Sequence, residues 1–202
     1  MPTEKSRIIK ASVLFLLVAA IVFSFIGCSE SKADFTKFNG IPFGATQKEV
    51  MPQIEAMLKK QKYEGEVEEK VNHKDNYKTI EDTFENVKVD DYTADLTVTF
   101  INNEDDDITN SKFCDATYYF DHMPQYKAEQ IIEYYKNRFD KLYGKATADN
   151  TDNYGSRYIA WNTDGNKEGC SLMTWPYVSN DNGELSIYLS YYSNTVKHEF
   201  TE

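Results

Sequence analysis

The histidines and cysteines are the first candidates for chemistry, because these side chains bind metals and act as acids, bases and nucleophiles. His73, His122 and His198 do not have the spacing of a metal motif. Cys114 and Cys170 lie 56 residues apart rather than in a C-x-x-C motif. Zinc-protease, nucleophile-elbow, phosphate-loop and dinucleotide motifs do not occur in the sequence either. We therefore predict a protein that is not an enzyme and that has no cofactor and no metal.

The acidic residues are too numerous to identify an active site. The chain has 33 Asp and Glu residues, so a catalytic carboxylate pair of the glycosidase type stays open, but no pair stands out. Four of them form the run Glu104–Asp107. Calcium binding is one interpretation of this run, because hard cations prefer several oxygen ligands. The spacing and the glycine of an EF-hand loop are absent, which favours an acidic hairpin tip.

A third cysteine, Cys28, ends the most apolar stretch of the chain. Basic residues come first, followed by 16 uncharged residues from Ala11 to Ile26 and then by Gly27 and Cys28. The basic residues are Lys5, Arg7 and Lys10. This order is typical of a secretory signal, and the run is shorter than the roughly 20 apolar residues that span a membrane. An uncleaved membrane helix and an ordinary signal peptide are the alternatives.

With Cys28 at its end, the segment resembles a bacterial lipoprotein signal. The resemblance implies that residues 1–27 are removed, that the Cys28 thiol receives a diacylglyceryl group, and that the new amino terminus receives a fatty acid such as palmitate. Two or three acyl chains hold a protein stably on a membrane. We therefore expect an exported domain that is lipid-anchored to the cell membrane or the outer membrane.

The charge of the chain excludes one class of partner. Removing residues 1–27, which hold Glu4 and the three basic residues, leaves 175 residues, enough for one domain. The remaining part has 19 Lys and Arg residues and 32 Asp and Glu residues, a net charge of −13. Such a surface repels nucleic acids and anionic lipids, so the acyl chains must provide the membrane attachment. A cationic partner is one interpretation of the charge, and solubility is the other.

The two cysteines of the exported part, Cys114 and Cys170, allow a disulfide. Both fall in predicted strands, so a bridge requires these strands to lie close together. Two small buried thiols are the alternative. Within its strand, Cys114 is predicted to share a face with Ala116, Tyr118 and Phe120.

Helical periodicity occurs in two stretches of the domain. Thr46 and Glu49 form a capping box, and the apolar spacing that follows predicts a helix over 47–62. Pro52 predicts a kink or a late start in this helix. A second helix is predicted over 124–143, followed by a glycine. Its apolar stripe consists of Ala128, Ile132, Tyr135, Phe139 and Leu142.

Alternating apolar and polar residues predict six strands, most of them joined by short turns. The strands are 77–89, 93–101, 112–120, 156–162, 169–178 and 184–192. The predicted fold is α+β, an antiparallel β-sheet with helices on one face and the element order α-β-β-β-α-β-β-β. Residues 28–36 would be the lipidated Cys and a flexible tether, 37–194 the single domain and 195–202 a polar tail. Residues 63–76 are assigned neither to a strand nor to a loop.

The most patterned stretch of the domain, Gly40 to Val50, reads G-I-P-F-G-A-T-Q-K-E-V. It resembles the opening of many small bacterial envelope lipoproteins of uncharacterised function. The shorter core, Gly44-Ala45-Thr46 followed by Val50, is similar to the helix opening in the small lipoprotein of the barrel-assembly machine and in β-lactamase inhibitory protein. The resemblance implies a protein-binding domain without catalytic residues.

Aromatic residues are the candidates for binding. We predict that Tyr188 and Tyr192, on the Ser-containing side of the last strand, contact an envelope protein, because Tyr is enriched at interfaces. The alternative is that Tyr simply suits strands. Trp161 and Trp175 would instead line a groove for a small glycan or peptide, or pack in the core. A broad flat aromatic patch would favour the protein partner, and a concave pocket with convergent polar groups would favour the small ligand.

Overall fold

The computed structural model describes residues 34–163, 165–176 and 184–201. Its helices are α1 (Gln47–Lys60), α2 (Gln125–Tyr143) and α3 (Asn194–Thr201), and a 3₁₀ turn spans Ile108–Asn110. Its strands are β1 (Lys37–Phe38), β2 (Ile41–Pro42), β3 (Val67–His73), β4 (Tyr77–Val89), β5 (Tyr92–Asn103), β6 (Lys112–Pro124), β7 (Ala148–Thr151), β8 (Arg157–Asn162), β9 (Glu168–Pro176) and β10 (Glu184–Ser193). The predicted signal segment, Cys28 and most of the predicted tether lie outside the described residues.

Eight strands form one antiparallel sheet in the order β3-β4-β5-β6-β10-β9-β8-β7, and β1 pairs with β2 separately. Each half of the sheet is a four-stranded meander that follows a helix: α1 precedes β3 to β6, and α2 precedes β7 to β10. The two halves therefore have the same connectivity, a helix followed by four strands. They join at the centre of the sheet, where β6 and β10 pair antiparallel. The prediction of a mixed α and β protein with an antiparallel sheet is confirmed.

The predicted element order is wrong because each half has four strands instead of three. The short strands β1 and β2 are not predicted either. The two missed strands of the eight-stranded sheet, β3 and β7, are its edges. Most residues of both strands are exposed, so neither carries the alternation of a half-buried strand. Charged residues on β3 also suit an edge, because they discourage pairing with another chain.

Helix α1 begins where the sequence predicts. The Glu49 carboxylate accepts hydrogen bonds from the Thr46 amide at 2.9 Å and from the Thr46 hydroxyl at 2.8 Å. Pro52 is exposed within the helix and does not delay its start, so of the two predicted effects the late start does not occur. The helix ends at Lys60, two residues earlier than predicted.

Helices α1 and α2 bury their apolar residues in one core together with alternate residues of the central strands. The helical members include Val50, Ile54, Leu58, Ala128, Ile132, Tyr135 and Phe139. The strand members include Ile80, Leu96, Val98, Ala116, Tyr118, Ile159, Trp161, Cys170, Leu172, Ile187 and Leu189. We call the sheet surface with these strand residues the core face and the opposite surface the outer face. Leu142, in the last turn of α2, is 53% exposed rather than buried as predicted.

Both ends of the domain differ from the prediction. Residues 194–201 form α3 instead of a polar tail. Val196 is buried there, and the Lys197 Nζ atom donates to Asp115 Oδ2 at 3.1 Å. At the other end, Phe35 of the predicted tether stacks on Tyr143 with ring centroids 4.5 Å apart. Phe35 anchors one end, and Val196 and Phe200 anchor the other. These apolar residues are too few to predict an element by periodicity.

Candidate functional site: an aromatic patch on the outer face

Five large side chains lie together on the outer face, across four neighbouring strands. We call them the aromatic patch: Tyr119 on β6, Tyr188 on β10, Met173 and Trp175 on β9, and Tyr158 on β8. Tyr188 is opposite Tyr119 on one side and Met173 on the other. Met173 is in turn opposite Tyr158. Trp175 is two residues along β9 from Met173 and therefore points to the same face.

The alternation of each strand explains why these residues point outward. Successive side chains of a strand face opposite sides of the sheet. On β9, Cys170 and Leu172 are buried in the core, which leaves Met173 and Trp175 on the outer face. On the neighbouring strands, the buried residues next to the patch are Tyr118, Phe120, Ile159, Ile187 and Leu189. Burial of one face thus fixes the position of the patch on the other.

Tyr119 and Tyr188 form a tilted ring pair, with ring centroids 4.8 Å apart and planes inclined by 35°. The Tyr119 hydroxyl donates to Asp121 Oδ1 at 2.6 Å and lies 3.2 Å from the Ser186 hydroxyl. Burial and the neighbouring Asp121 raise the pKa of Tyr119 to about 12, so this phenol stays protonated at neutral pH. The hydrogen bond and the ring contact therefore hold the Tyr119 side chain in place, and such pre-ordering reduces the entropy that binding costs.

The aromatic patch is broad and partly exposed. Trp175 is 54% and Tyr158 is 37% exposed. The next row across the sheet has only small side chains: Thr117, Ser190, Ser171 and Ala160. A cavity of about 640 Å³ lies elsewhere, at residues 61–68 and 83–88, and no patch residue lines it. The arrangement is a surface rather than a pocket, which favours a macromolecular partner over a small ligand.

Tyr192 does not agree with its predicted role as a partner contact. It is only 7% exposed, and its hydroxyl donates to Asn166 Oδ1 at 2.7 Å. Burial raises the pKa of Tyr192 to about 12. A Cβ atom at Gly169 would lie 2.9 Å from the Tyr192 hydroxyl, so the glycine makes room for this ring. Tyr188, the other predicted contact, is half-buried and belongs to the aromatic patch.

The two tryptophans do not form a common groove. Trp161 is 1% exposed on the core face, and its Nε1 atom donates to Asp140 Oδ1 at 3.0 Å. Its ring packs edge-on against Phe139 at 5.2 Å. Trp175 lies on the opposite face of the sheet. Core packing therefore describes Trp161, and only Trp175 is placed for binding.

Cys114 and Cys170 are both buried and free, so the structure does not contain the disulfide considered above. β10 separates β6 from β9, and two strand spacings of about 4.8 Å each exceed the Cα separation of a disulfide. A register irregularity in β6 also places Cys114 with Ile101 and Val196 instead of Ala116. Burial raises the pKa of Cys114 to about 12 and raises that of Cys170 as well.

The acidic run Glu104–Asp107 is organised around Lys78. This lysine is buried, and its Nζ atom donates to the carbonyl oxygens of Glu104 at 2.8 Å and Asp106 at 2.6 Å. The Asp107 carboxylate accepts from the Thr109 amide at 2.8 Å and caps the 3₁₀ turn. No group of three or more His, Cys, Asp or Glu side chains in the described ranges is arranged to hold a metal ion. The Lys78 ammonium group thus takes two backbone carbonyl oxygens of this loop as its acceptors.

Tyr119, Tyr158 and Met173 are patch residues that the sequence analysis does not select. The predicted face of β6 assigns Tyr118 to the core and thereby leaves Tyr119 outside, so a weak signal exists for Tyr119. No comparable signal links Tyr158 to Met173, because their contact depends on the register between β8 and β9.

No protein-family model, curated protein or solved structure matches this chain. The resemblance to the barrel-assembly lipoprotein and to β-lactamase inhibitory protein therefore stays a prediction. Within residues 34–163, 165–176 and 184–201, no helix is long and apolar enough to cross a membrane.

Proposed function

We propose that this chain is a non-catalytic, membrane-anchored bacterial lipoprotein whose domain binds a protein partner in the cell envelope. The observation that carries the proposal is the aromatic patch, a broad, partly exposed surface of three Tyr residues, one Met and one Trp. Tyr, Trp and Met are enriched at protein interfaces, and Tyr and Trp dominate binding hot spots. Tyr188 and Trp175 are the contacts we expect to matter most.

The proposed architecture suits this role. Helices α1 and α2 would cover one face of the sheet and leave the outer face to a partner. The Gln47 Nε2 atom on α1 donates to Asp82 Oδ2 at 3.1 Å, and Asp140 on α2 accepts from Trp161. Both contacts tie a helix to the core face. A sheet supported on one side is a rigid base, and rigid presentation favours binding.

The proposed anchor is the lipidated Cys28, in the cell membrane or the outer membrane. The substitution Cys28→Ala removes the thiol that would receive the diacylglyceryl group. We expect the variant to leave the membrane fraction or to keep the mass of the unprocessed chain. Ser29→Ala is the matched control and should behave as the wild type. Unchanged fractionation and unchanged size of Cys28→Ala would contradict lipidation.

The partner is tested by chemical crosslinking in intact cells, followed by purification from membranes. We expect one stoichiometric envelope protein with the wild-type chain and its loss with Trp175→Ala/Tyr188→Ala. The control variant, Thr97→Ala/Thr99→Ala, changes outer-face residues of β5 outside the aromatic patch and should retain the partner. If both variants capture the partner equally well, the aromatic patch is not the binding surface.

A small glycan or peptide is the alternative ligand, and the exposed Trp175 indole is the observation that supports it, because a planar ring can stack on a ligand ring. Two results together would favour this alternative. The crosslinking experiment would capture no protein partner, and the Trp fluorescence of the domain would change when envelope glycans are added. The fluorescence change should vanish in Trp175→Phe, because Trp161 is buried.

A further inference from the structure

The surroundings of the aromatic patch indicate the chemistry of its partner, an inference that rests on the proposed function. Asp95 on β5 is opposite Tyr119, on the side away from Tyr188. Asp121 follows Tyr119 by two residues on β6 and has a side chain 47% exposed. Glu184 begins β10 and lies 3.4 Å from His122 Nδ1, next to Asp121. One side of the aromatic patch is thus bordered by three carboxylates.

These carboxylates lack the Lys or Arg partner that five other acidic residues of the described ranges have. Elsewhere in the described ranges, ion pairs to Lys or Arg involve Asp34, Asp90, Asp115, Asp140 and Asp149. No described Lys or Arg lies within 4.0 Å of the carboxylates of Asp95, Asp121 or Glu184. Asp95 accepts the Asn86 amide at 2.8 Å instead. Asp121 accepts from the Tyr119 and Ser186 hydroxyls and lies 3.5 Å from His122 Nε2. Because no described Lys or Arg lies beside them, the three carboxylates keep negative charge that a cationic partner can contact.

Carboxylates and aromatic rings attract the same kind of group. The face of a Tyr or Trp ring carries negative electrostatic potential and attracts a cation within about 6 Å. An Arg side chain can stack on such a ring and also form paired hydrogen bonds with a carboxylate. The excess of acidic residues, 33 against 22 Lys and Arg in the whole chain, would also steer a cationic partner to the domain.

We propose that the aromatic patch binds a basic segment of the partner protein. An Arg or Lys side chain of this segment stacks on the Tyr119–Tyr188 pair, with its charge beside Asp95 and Asp121. Apolar side chains of the same segment contact Met173 and Trp175.

The test uses the whole chain purified in detergent and two labelled synthetic peptides. One is a Gly-Ser peptide with two Arg and two Leu residues, and the other has Glu in place of Arg. Fluorescence anisotropy should show binding of the Arg peptide at least about tenfold tighter than that of the Glu peptide, and the difference should shrink as salt screens the charges. Equal affinities, tighter binding of the Glu peptide, or no binding of either peptide would overturn the inference.

Two triple variants with the same net charge distinguish the local effect of the three carboxylates from the effect of the overall charge of the chain. In Asp95→Asn/Asp121→Asn/Glu184→Gln, each side chain keeps an oxygen that can accept a hydrogen bond, so the fold should be retained. We expect the preference for Arg to fall to about threefold or less. The matched control, Glu55→Gln/Glu66→Gln/Glu68→Gln, changes net charge equally at exposed positions outside the patch and should keep the preference. The same preference in both variants would contradict a role for the three carboxylates.

The peptide experiment can fail while the proposed function survives. If crosslinking captures a protein that is lost in Trp175→Ala/Tyr188→Ala, but the Arg peptide has no advantage, the patch binds a partner that is not basic. If crosslinking captures no protein through the patch, the proposed function itself fails.

Discussion

Trp161 and Trp175 lie on adjacent strands of one sheet, yet the first is 1% exposed and the second 54%. Trp161 is on the core face, where Asp140 accepts its Nε1 proton and Phe139 packs against its ring. Trp175 is on the outer face, two residues along β9 from Met173. The residue type is the same, and the face of the sheet decides whether the ring is buried in the core or exposed to solvent.

Two carboxylates repeat this comparison in the first half of the sheet. Asp82 on β4 is buried on the core face, where Gln47 donates to it at 3.1 Å. Asp95 on β5 is half-buried on the outer face beside Tyr119. Substitutions on the core face should therefore change stability, and substitutions in the aromatic patch should change binding.

The two tryptophans should give the largest contrast in stability. Trp161→Ala should lower the free energy of unfolding by about 3–5 kcal/mol, because it leaves a cavity in the core. Trp175→Ala should change it by less than about 0.5 kcal/mol. Urea denaturation followed by circular dichroism measures both. Similar losses for both variants would mean that Trp175 also supports the fold.

The patch itself should give the next largest effect, on binding. Tyr188→Ala should weaken capture of the partner by about 2 kcal/mol, roughly 30-fold, as expected for an aromatic hot spot. Ser190→Ala, the next outer-face residue on the same strand, is the control and should weaken it by less than about threefold. Titration of the purified partner onto the immobilised domain measures the difference, and equal affinities of the two variants would contradict the assignment.

A substitution at Tyr192 tests whether this buried residue supports the fold and not the binding of the partner. Tyr192→Phe removes the hydroxyl that donates to Asn166 at 2.7 Å and should cost about 1 kcal/mol of stability. Binding of the partner should stay unchanged. Tyr188→Phe should leave the stability unchanged, since no described hydrogen bond involves its hydroxyl. If Tyr192→Phe bound the partner more weakly but were as stable as the wild type, Tyr192 would be a partner contact after all.

Asp82 should make stability depend on pH. Burial raises the pKa of Asp82 above its ordinary value of 3.8, although the hydrogen bond from Gln47 opposes the shift. The unfolded chain therefore loses this proton first as pH rises, and the charged carboxylate destabilises the fold above the raised pKa. Asp82→Asn should match the wild type at pH below 3.8 and be more stable by about 1 kcal/mol at neutral pH. Thermal unfolding at a series of pH values measures the stability difference between Asp82→Asn and the wild type, with Asp95→Asn as the control. If Asp82→Asn were less stable than the wild type at neutral pH, the predicted destabilisation by the charged carboxylate would be wrong.

The free cysteines should give the smallest effect. Because Cys114 and Cys170 are buried and unpaired, a reducing agent should not change the melting temperature. Iodoacetamide should label neither residue in the native domain and both in denaturant, as read by peptide mass spectrometry. A disulfide-linked peptide containing both cysteines would show that the structure misses a bridge.

The central parts of the fold could be predicted from sequence and the edges could not. Strands β5 and β10 bury one face, so their residues alternate and reveal the strand. The edge strands β3 and β7 are held by backbone pairing and leave no apolar pattern. The short helix α3 is anchored by Val196 and Phe200, two apolar residues in a polar stretch.

The site could be predicted only in part. The alternation of β10 places Tyr188 on the outer face, and this was sufficient to select it. The same pattern selects Tyr192, whose burial depends on Asn166 and Gly169, 26 and 23 residues earlier in the chain. The patch as a whole needs the register of four strands, and long-range pairing is not encoded in any local pattern.

The most direct test of the account places a photo-crosslinking amino acid at Met173, in the middle of the aromatic patch. The same amino acid at Thr97, on the outer face of β5, is the control. Irradiation of intact cells should join the chain to one envelope protein from position 173 and not from position 97. The same adduct from both positions, or no protein adduct from position 173 in a chain that is present in the membrane fraction, would contradict a binding role for the patch.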